Sequence, residues 1–185
     1  MTTALLVIDV QESFRARTES WKTTSAPDIA DRIHPLVEAA RTAGHHVVWV
    51  LHVEPGTGDV FDPDLGHVRL IDSLKALDDE PVLHKTSHNA FTTTNLGQYL
   101  TAHGVTEVVV TGIRTEQCCE TTARLASDLG YQVQFVLDAT ATMPLPRWDG
   151  AGTLTVEEVL ERTASALQGR FAEVVTREDV LASWR

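Results

Sequence analysis

Cysteine is scarce in this chain of 185 residues, which contains two, and the two are adjacent at positions 118 and 119. Neighbouring cysteines do not form the spaced pairs of a disulfide framework, and such frameworks belong to oxidising compartments. The N-terminus enters an apolar run at once and shows no basic segment followed by an apolar leader. Both observations predict a cytoplasmic protein with free thiols.

Positive charge and long apolar runs are also lacking. Lysine and arginine number 15 against 26 aspartate and glutamate residues, which gives a formal net charge of -11. Nucleic-acid binding depends on clustered basic side chains, so this balance excludes DNA and RNA as expected partners. No apolar run approaches the roughly 18 residues that a membrane span requires, so no membrane association is expected either.

The sequence does contain a regular alternation of strand-like and helix-like segments. Apolar or β-branched runs, interpreted as strands, occupy residues 4–10, 46–52, 82–85, 107–111, 132–138 and 172–175. Such alternation is typical of a parallel sheet covered by helices on both faces. We therefore expect one α/β domain over residues 1–185, a three-layer αβα sandwich with a mostly parallel six-stranded sheet.

The segments between these strands include three that are predicted to be loops. They are polar or rich in glycine and proline, and they cover residues 11–24, 54–67 and 139–152. A short helix is predicted at 68–77. Two of the loops follow strands at the same edge of the sheet, so we expect them to border a binding site.

Cys118 lies where the predicted fourth strand ends and a helix begins. Unpaired backbone N–H groups at the start of a helix favour negative charge. We therefore expect the Cys118 thiol to have a lowered pKa and to act as a nucleophile. Cys119 points about 100° away around a helix and is interpreted as a packing residue. Buried structural cysteines outnumber catalytic ones, so this interpretation needs independent support.

Two charged residues provide that support. Asp9 follows the apolar run at the N-terminus, and Lys85 ends the third predicted strand. In an open α/β sheet, ligands bind at the carboxyl ends of the strands. An acid, a cation and a thiol are therefore expected to meet at that edge, although a lone aspartate after a strand is often a cap and a lone lysine is usually solvated.

Three segments together resemble the isochorismatase-like cysteine hydrolases, a family that includes nicotinamidases and N-carbamoyl amide hydrolases. They are residues 7–14 (VIDVQESF), 85–91 (KTSHNAF) and 112–118 (GIRTEQC). Each segment alone is a weak signal, whereas the three in this order and spacing are specific. The resemblance extends over nearly the whole chain.

The resemblance implies a cysteine hydrolase that cleaves the C–N bond of a small amide, carbamoyl or lactam-type substrate through a thioester. Asp9 would carry the proton of Cys118, and Lys85 would keep both groups oriented. The resemblance also implies a cis peptide bond between Ile113 and Arg114. Backbone N–H groups of Arg114 and Cys118 are the expected oxyanion donors.

One departure from the family pattern concerns metal binding. Nicotinamidases hold a metal with an Asp-x-His pair and further histidines after the second strand. The matching positions here are His52 and Glu54, with Val60 where another histidine is expected. Two ligands fall short of the three or more that are usual for zinc. We therefore expect no metal or other cofactor, and a hydrogen-bonding role for His52 and Glu54 at the pocket wall.

Three aromatic side chains, Phe14, Trp21 and Trp148, are further candidates for the substrate pocket because the predicted loops contain them. The family resemblance also implies a homodimer or larger homo-oligomer. Two other functions remain open: hydrolysis of a vinyl ether, as in isochorismatases, and a binding protein that has kept the fold without turnover. The expected partner in each case is a small molecule.

Overall fold

A computed structural model describes residues 2–71 and 73–185. Its strands are β1 (Thr3–Ile8), β2 (His46–His52), β3 (Val82–Lys85), β4 (Glu107–Ile113), β5 (Gln132–Ala141), β6 (Leu145–Pro146), β7 (Thr153–Leu154) and β8 (Glu173–Val175). Six of them form the main sheet in the order β3-β2-β1-β4-β5-β8, and all neighbouring pairs are parallel. Strands β6 and β7 form a separate antiparallel hairpin.

The α-helices lie mostly between the strands. They are α1 (Glu12–Ala16), α2 (Thr18–Trp21), α3 (Ile29–Thr42), α4 (Leu96–Ala102), α5 (Glu120–Asp128), α6 (Val156–Leu167) and α7 (Arg177–Ser183). A short 3₁₀ segment covers Pro63–Leu65, and a single π turn covers Thr115–Cys119. Within the described ranges, no helix is both long enough and apolar enough to cross a lipid bilayer.

The central strand β1 shows how the three layers form. Its side chains alternate between two buried clusters, with Leu5 and Val7 in one and Ala4, Leu6 and Ile8 in the other. The first cluster includes residues of α3 and α7, and the second includes residues of α4, α5 and α6. An apolar strand covered on both faces is characteristic of a parallel sheet. The predicted three-layer α/β fold is therefore confirmed.

Three local predictions were wrong. Residues 139–152 do not form only a loop, because β5 extends to Ala141 and β6 begins at Leu145. Residues 11–24 contain α1 and α2 rather than only loop, and each of these helices is too short for its periodicity to identify it. The described residues of 68–77 form no helix, and residue 72 of that stretch lies outside the described residues. The backbone of this stretch instead pairs with the segment after β1, where Ile71 N–H donates to Val10 O at 3.1 Å.

Gly112 sets the close approach of β4 to β1 just before the site. It pairs with Ile8, and its backbone has a φ of +130°, a value that favours glycine. A Cβ atom added at Gly112 would lie 1.9 Å from the Ile8 carbonyl oxygen. The end of β1 and the turn after β4 can therefore adjoin only if this position has no side chain.

We predict that Gly112→Ala lowers the free energy of unfolding by about 3 kcal/mol or more, because the new methyl group overlaps backbone. Gly104→Ala is the matched control, since Gly104 also has a positive φ (+62°) but a Cβ there meets no described atom within 4 Å. The control should lose only about 1–2 kcal/mol, the cost of a left-handed backbone. Urea unfolding of both variants measures the difference, and equal losses would contradict this account of Gly112.

Candidate active site

The carboxyl ends of three strands bring the predicted acid, cation and thiol together. Asp9 directly follows β1, Lys85 is the last residue of β3, and Cys118 lies in the π turn after β4. The strand β2 runs between β1 and β3, and its last residue, His52, is in register with Lys85. All four side chains therefore converge at one edge of the sheet.

The Lys85 ammonium is the centre of this cluster. Its Nζ lies 2.7 Å from Asp9 Oδ2 and 3.3 Å from Cys118 Sγ. The side chains of Asp9 and Lys85 are completely buried, and 7% of Cys118 is exposed. The cluster is thus a fully buried ion pair in contact with a thiol that retains a small accessible surface.

Asp9 occupies its place through an unusual backbone conformation. Its φ is +55°, in the left-handed region that aspartate tolerates better than most residues. Its N–H donates to Val50 O at 2.7 Å, and its carbonyl accepts from Gln11 N–H at 2.9 Å. These bonds turn the chain sharply at the end of β1. Residues held in sparsely populated conformations cluster at functional sites.

The turn that carries Cys118 is held at its start by Arg114. The Arg114 carbonyl accepts hydrogen bonds from the N–H groups of Gln117 and Cys119, each at 3.2 Å. The Arg114 side chain donates to Met143 O at 3.0 Å and pairs with Glu116 at 3.2 Å. The peptide bond between Ile113 and Arg114 is cis, which is the conformation that the family resemblance implied. Single π turns are often found at functional sites.

The Cys118 thiol has a raised pKa, so the predicted lowered value was wrong. Burial is the main cause, the negative charge of Asp9 adds to it, and Lys85 opposes both. These interactions outweigh the backbone N–H groups at the turn, which were the basis of the prediction. The resting thiol is therefore protonated at neutral pH, and a nucleophilic role requires a base.

Asp9 has the properties of that base. Burial raises the pKa of its carboxyl group, and the charge of Lys85 and a hydrogen bond with Cys118 partly offset the increase. A raised pKa strengthens a carboxylate as a proton acceptor near neutrality. For Lys85, burial alone would lower the pKa, but Asp9 and Cys118 together raise it. Lys85 therefore remains charged beside both groups.

A cavity of about 140 Å³ opens beside Cys118. The predicted site residues that line it are Asp9, Phe14, His52, Glu54, Arg114 and Cys118. Its volume is below the roughly 300–1,000 Å³ of drug-sized ligand pockets. A larger depression of about 760 Å³ lies beside the edge strand β3, but neither Asp9, Lys85 nor Cys118 lines it. The cavity at Cys118 is therefore lined by candidate catalytic residues, and its size suits a small molecule.

Two pocket predictions were wrong. Trp21 does not line the cavity, because it is partly buried against the core cluster that contains α3. Trp148 is 98% exposed and lies in the turn of the β6–β7 hairpin, outside the cavity lining. An exposed tryptophan is compatible with the subunit contact that the family resemblance implied, and that assembly stays a prediction.

Several lining residues were not predicted. They are Arg17, Ser20, Phe61, His88, Gln117 and Met143. His88 and Gln117 belong to two of the segments that carry the family resemblance, so the sequence contained a signal that could have identified them as lining residues. Phe61 gave none, because it reaches the wall through an edge contact with Phe14, with ring centroids 5.1 Å apart, across a long loop.

His52 and Glu54 contact each other at the cavity wall. Glu54 Oε1 lies 3.2 Å from His52 Nε2, and His52 Nδ1 lies 3.4 Å from Lys85 Nζ. The described part of the chain, all but residues 1 and 72, contains no group of three or more His, Cys, Asp or Glu side chains arranged to hold a metal ion. The two residues are placed for hydrogen bonding.

The chain is similar to known hydrolases along most of its length. The family model described as Isochorismatase domain matches residues 3–179. A streptothricin hydrolase from Streptomyces noursei is 35% identical over 174 residues, which are 94% of this chain and 62% of that relative. Nicotinamidase 3 from Arabidopsis thaliana is 32% identical over 152 residues, 75% of this chain and 73% of the relative.

A solved structure shows the same fold. The crystal structure of a cysteine hydrolase from Pseudomonas syringae pv. phaseolicola superposes with a TM-score of 0.90 and 28% sequence identity. The match covers 98% of this chain and 92% of that chain. The residues that the family model matches, 3–179, include every strand of the main sheet and the turn after β4.

We predict that iodoacetamide modifies Cys118 before Cys119, because Cys118 has an accessible surface at the cavity whereas Cys119 is completely enclosed. Since the Cys118 pKa is raised, the rate should climb with pH through the neutral and mildly alkaline range without levelling. Mass spectrometry of timed digests follows each cysteine, and Cys119→Ala should keep the rapid labelling that Cys118→Ala loses. Earlier labelling of Cys119, or a plateau near neutrality, would contradict the assignment.

Proposed function

The chain belongs to the isochorismatase family of hydrolases, and from that premise we propose that it hydrolyses the C–N bond of a small amide, carbamoyl or lactam-type compound. The proposed nucleophile is Cys118, the proton carrier is Asp9, and the electrostatic partner of both is Lys85. The observation that carries the proposal is the mutual contact of these three groups beside one small cavity, which Asp9 and Cys118 line.

The first half of the proposed reaction forms a thioester. Asp9 takes the proton from the Cys118 thiol, and the sulfur attacks the substrate carbonyl carbon. Asp9 then gives that proton to the leaving nitrogen, the C–N bond breaks, and the amine departs. The raised pKa of the Cys118 thiol supports this order, because the proton to be transferred is present on the resting sulfur.

The second half releases the acid. A water molecule loses a proton to Asp9, and its oxygen adds to the thioester carbon. The C–S bond breaks, and Asp9 returns the proton to the Cys118 sulfur, so the enzyme is restored. We assign the oxyanion in both halves to the backbone N–H groups of Arg114 and Cys118, because Arg114 caps the π turn that contains Cys118.

The proposal includes no metal ion and no cofactor. His52 and Glu54 interact with each other, and the Lys85 ammonium lies 3.4 Å from His52 Nδ1. A metal ion on the imidazole would face this buried positive charge, which opposes a second cation. Hydrogen bonding is the role that fits these two residues best.

The similarity to hydrolases with different substrates supports the reaction class more strongly than any one substrate. Relatives are named for streptothricin hydrolysis and for nicotinamide hydrolysis. The vinyl-ether alternative is less well supported, because the thiol in contact with Lys85 would have no use in it. A binding protein without turnover would have no need of a buried acid beside the thiol.

We predict that a panel of small amides, carbamoyl compounds and lactams will include one from which the protein releases ammonia or an amine. Asp9→Asn should lower turnover by about 10²–10⁴-fold, because an amide side chain carries no proton to the leaving nitrogen. Acid-quenched samples of the wild type should contain an acyl adduct on Cys118, detected by intact mass and peptide mapping. The Asp9→Asn variant should accumulate none.

Two controls accompany this test. Cys119→Ala should retain turnover, because the Cys119 side chain is enclosed in the core rather than exposed to the cavity. Dialysis against EDTA should leave the rate unchanged. Turnover that disappears with EDTA and returns with Zn²⁺, Mn²⁺ or Fe²⁺ would refute the metal-independent reaction, and an adduct on Cys119 would refute the proposed nucleophile.

A further inference from the structure

The buried ammonium of Lys85 carries three hydrogens, and three polar atoms lie close to it. Asp9 Oδ2 is its ion-pair partner at 2.7 Å, and Cys118 Sγ at 3.3 Å and His52 Nδ1 at 3.4 Å are within hydrogen-bonding distance. A buried ammonium hydrogen without a partner costs free energy. His52 therefore completes the coordination of Lys85 from the cavity side.

This contact determines which nitrogen of the His52 ring accepts a hydrogen bond. A lysine ammonium has donors and no acceptor, so His52 Nδ1 must accept. The proton of the neutral ring is then on Nε2, from which it is donated to Glu54 Oε1 at 3.2 Å. Glu54 is 40% exposed at the side chain, so the chain of contacts extends from the buried ion pair to solvent at the cavity mouth.

The backbone and ring of His52 are held independently. The buried side chain of Gln11 accepts from His52 N–H at 2.8 Å and donates to the His52 carbonyl at 3.1 Å. The imidazole also packs edge-on against Phe61, with centroids 5.4 Å apart. The neighbours of the ring therefore hold it in place before any substrate binds. A residue that positions another side chain must itself be held in this way.

We propose that His52 and Glu54 are positioning residues for the nucleophile, in which His52 holds the Lys85 ammonium against Asp9 and Cys118, and Glu54 holds the His52 ring. The proposal rests on the proposed function in taking Cys118 as the nucleophile. Lys85 stabilises the thiolate that forms during attack, so its distance from the sulfur matters for reactivity. Loss of the His52 acceptor leaves one ammonium hydrogen unpartnered and frees Lys85 to move away.

The test uses the full chain without substrate and measures the rate of Cys118 alkylation by iodoacetamide over a range of pH. His52→Leu removes the acceptor and keeps a side chain of similar size. His52→Asn places an amide oxygen near the position of Nδ1. His84→Leu is the matched control, because His84 is an exposed residue on the same strand as Lys85.

We expect His52→Leu to slow alkylation by about tenfold for each unit by which the thiol pKa rises, with the pH profile displaced upward. His52→Asn should recover most of the rate, and His84→Leu should match the wild type. Glu54→Leu should slow the reaction less, with recovery in Glu54→Gln, whose amide oxygen can still accept from the ring. If a thermal unfolding scan shows that His52→Leu does not fold, the comparison of Glu54→Leu with Glu54→Gln tests the proposal in its place.

A wild-type profile in His52→Leu would overturn the proposal, and so would equal slowing in His52→Leu and His52→Asn, because the effect would then come from packing. The same conclusion would follow if Glu54→Leu and Glu54→Gln behaved alike. Since no substrate is involved, the result is independent of the proposed reaction. A protein that hydrolyses no amide and still shows the expected pattern would refute the proposed function and uphold the positioning role.

Discussion

The buried ion pair between Asp9 and Lys85 is the interaction on which the rest of the site depends. Both side chains are completely enclosed, and their charged atoms lie 2.7 Å apart. Leaving either charge without its partner would cost about 3–5 kcal/mol. The pair joins β1 to β3 across the carboxyl end of β2, so it forms only when these three strands adopt the observed order. The strand order of the sheet and the formation of the Asp9–Lys85 pair therefore depend on each other.

Much of this arrangement could be predicted from the sequence because parallel strands leave a simple signal. Strands covered on both faces appear as continuous apolar runs, and their carboxyl ends share one edge of the sheet. A polar residue directly after such a run is thus placed in space as well as in the chain. Asp9 and Lys85 were identified in this way and Cys118 from its position where a helix begins, and the structure has all three in contact.

The parts that could not be predicted depend on distant residues. The pKa of Cys118 is set by burial and by the charge of Asp9, and these outweigh the local turn on which the sequence argument relied. The cavity wall has a similar origin, since Phe61 reaches it across a long loop whereas Trp148 lies on an exposed hairpin. An aromatic residue in a loop can pack into a cavity wall or remain exposed to solvent, and only tertiary contacts decide which.

In the proposed reaction, Asp9, held by Lys85, keeps the proton of Cys118 in place until attack. The most direct test is a titration of thiolate absorbance in the substrate-free wild type and in Asp9→Asn, both carrying Cys119→Ala. Asp9 raises the Cys118 pKa and Lys85 lowers it, so removal of the Asp9 charge should lower the pKa. The titration should show more thiolate in Asp9→Asn than in the parent at every pH of the transition. An equal or higher thiol pKa in Asp9→Asn would contradict this role of Asp9.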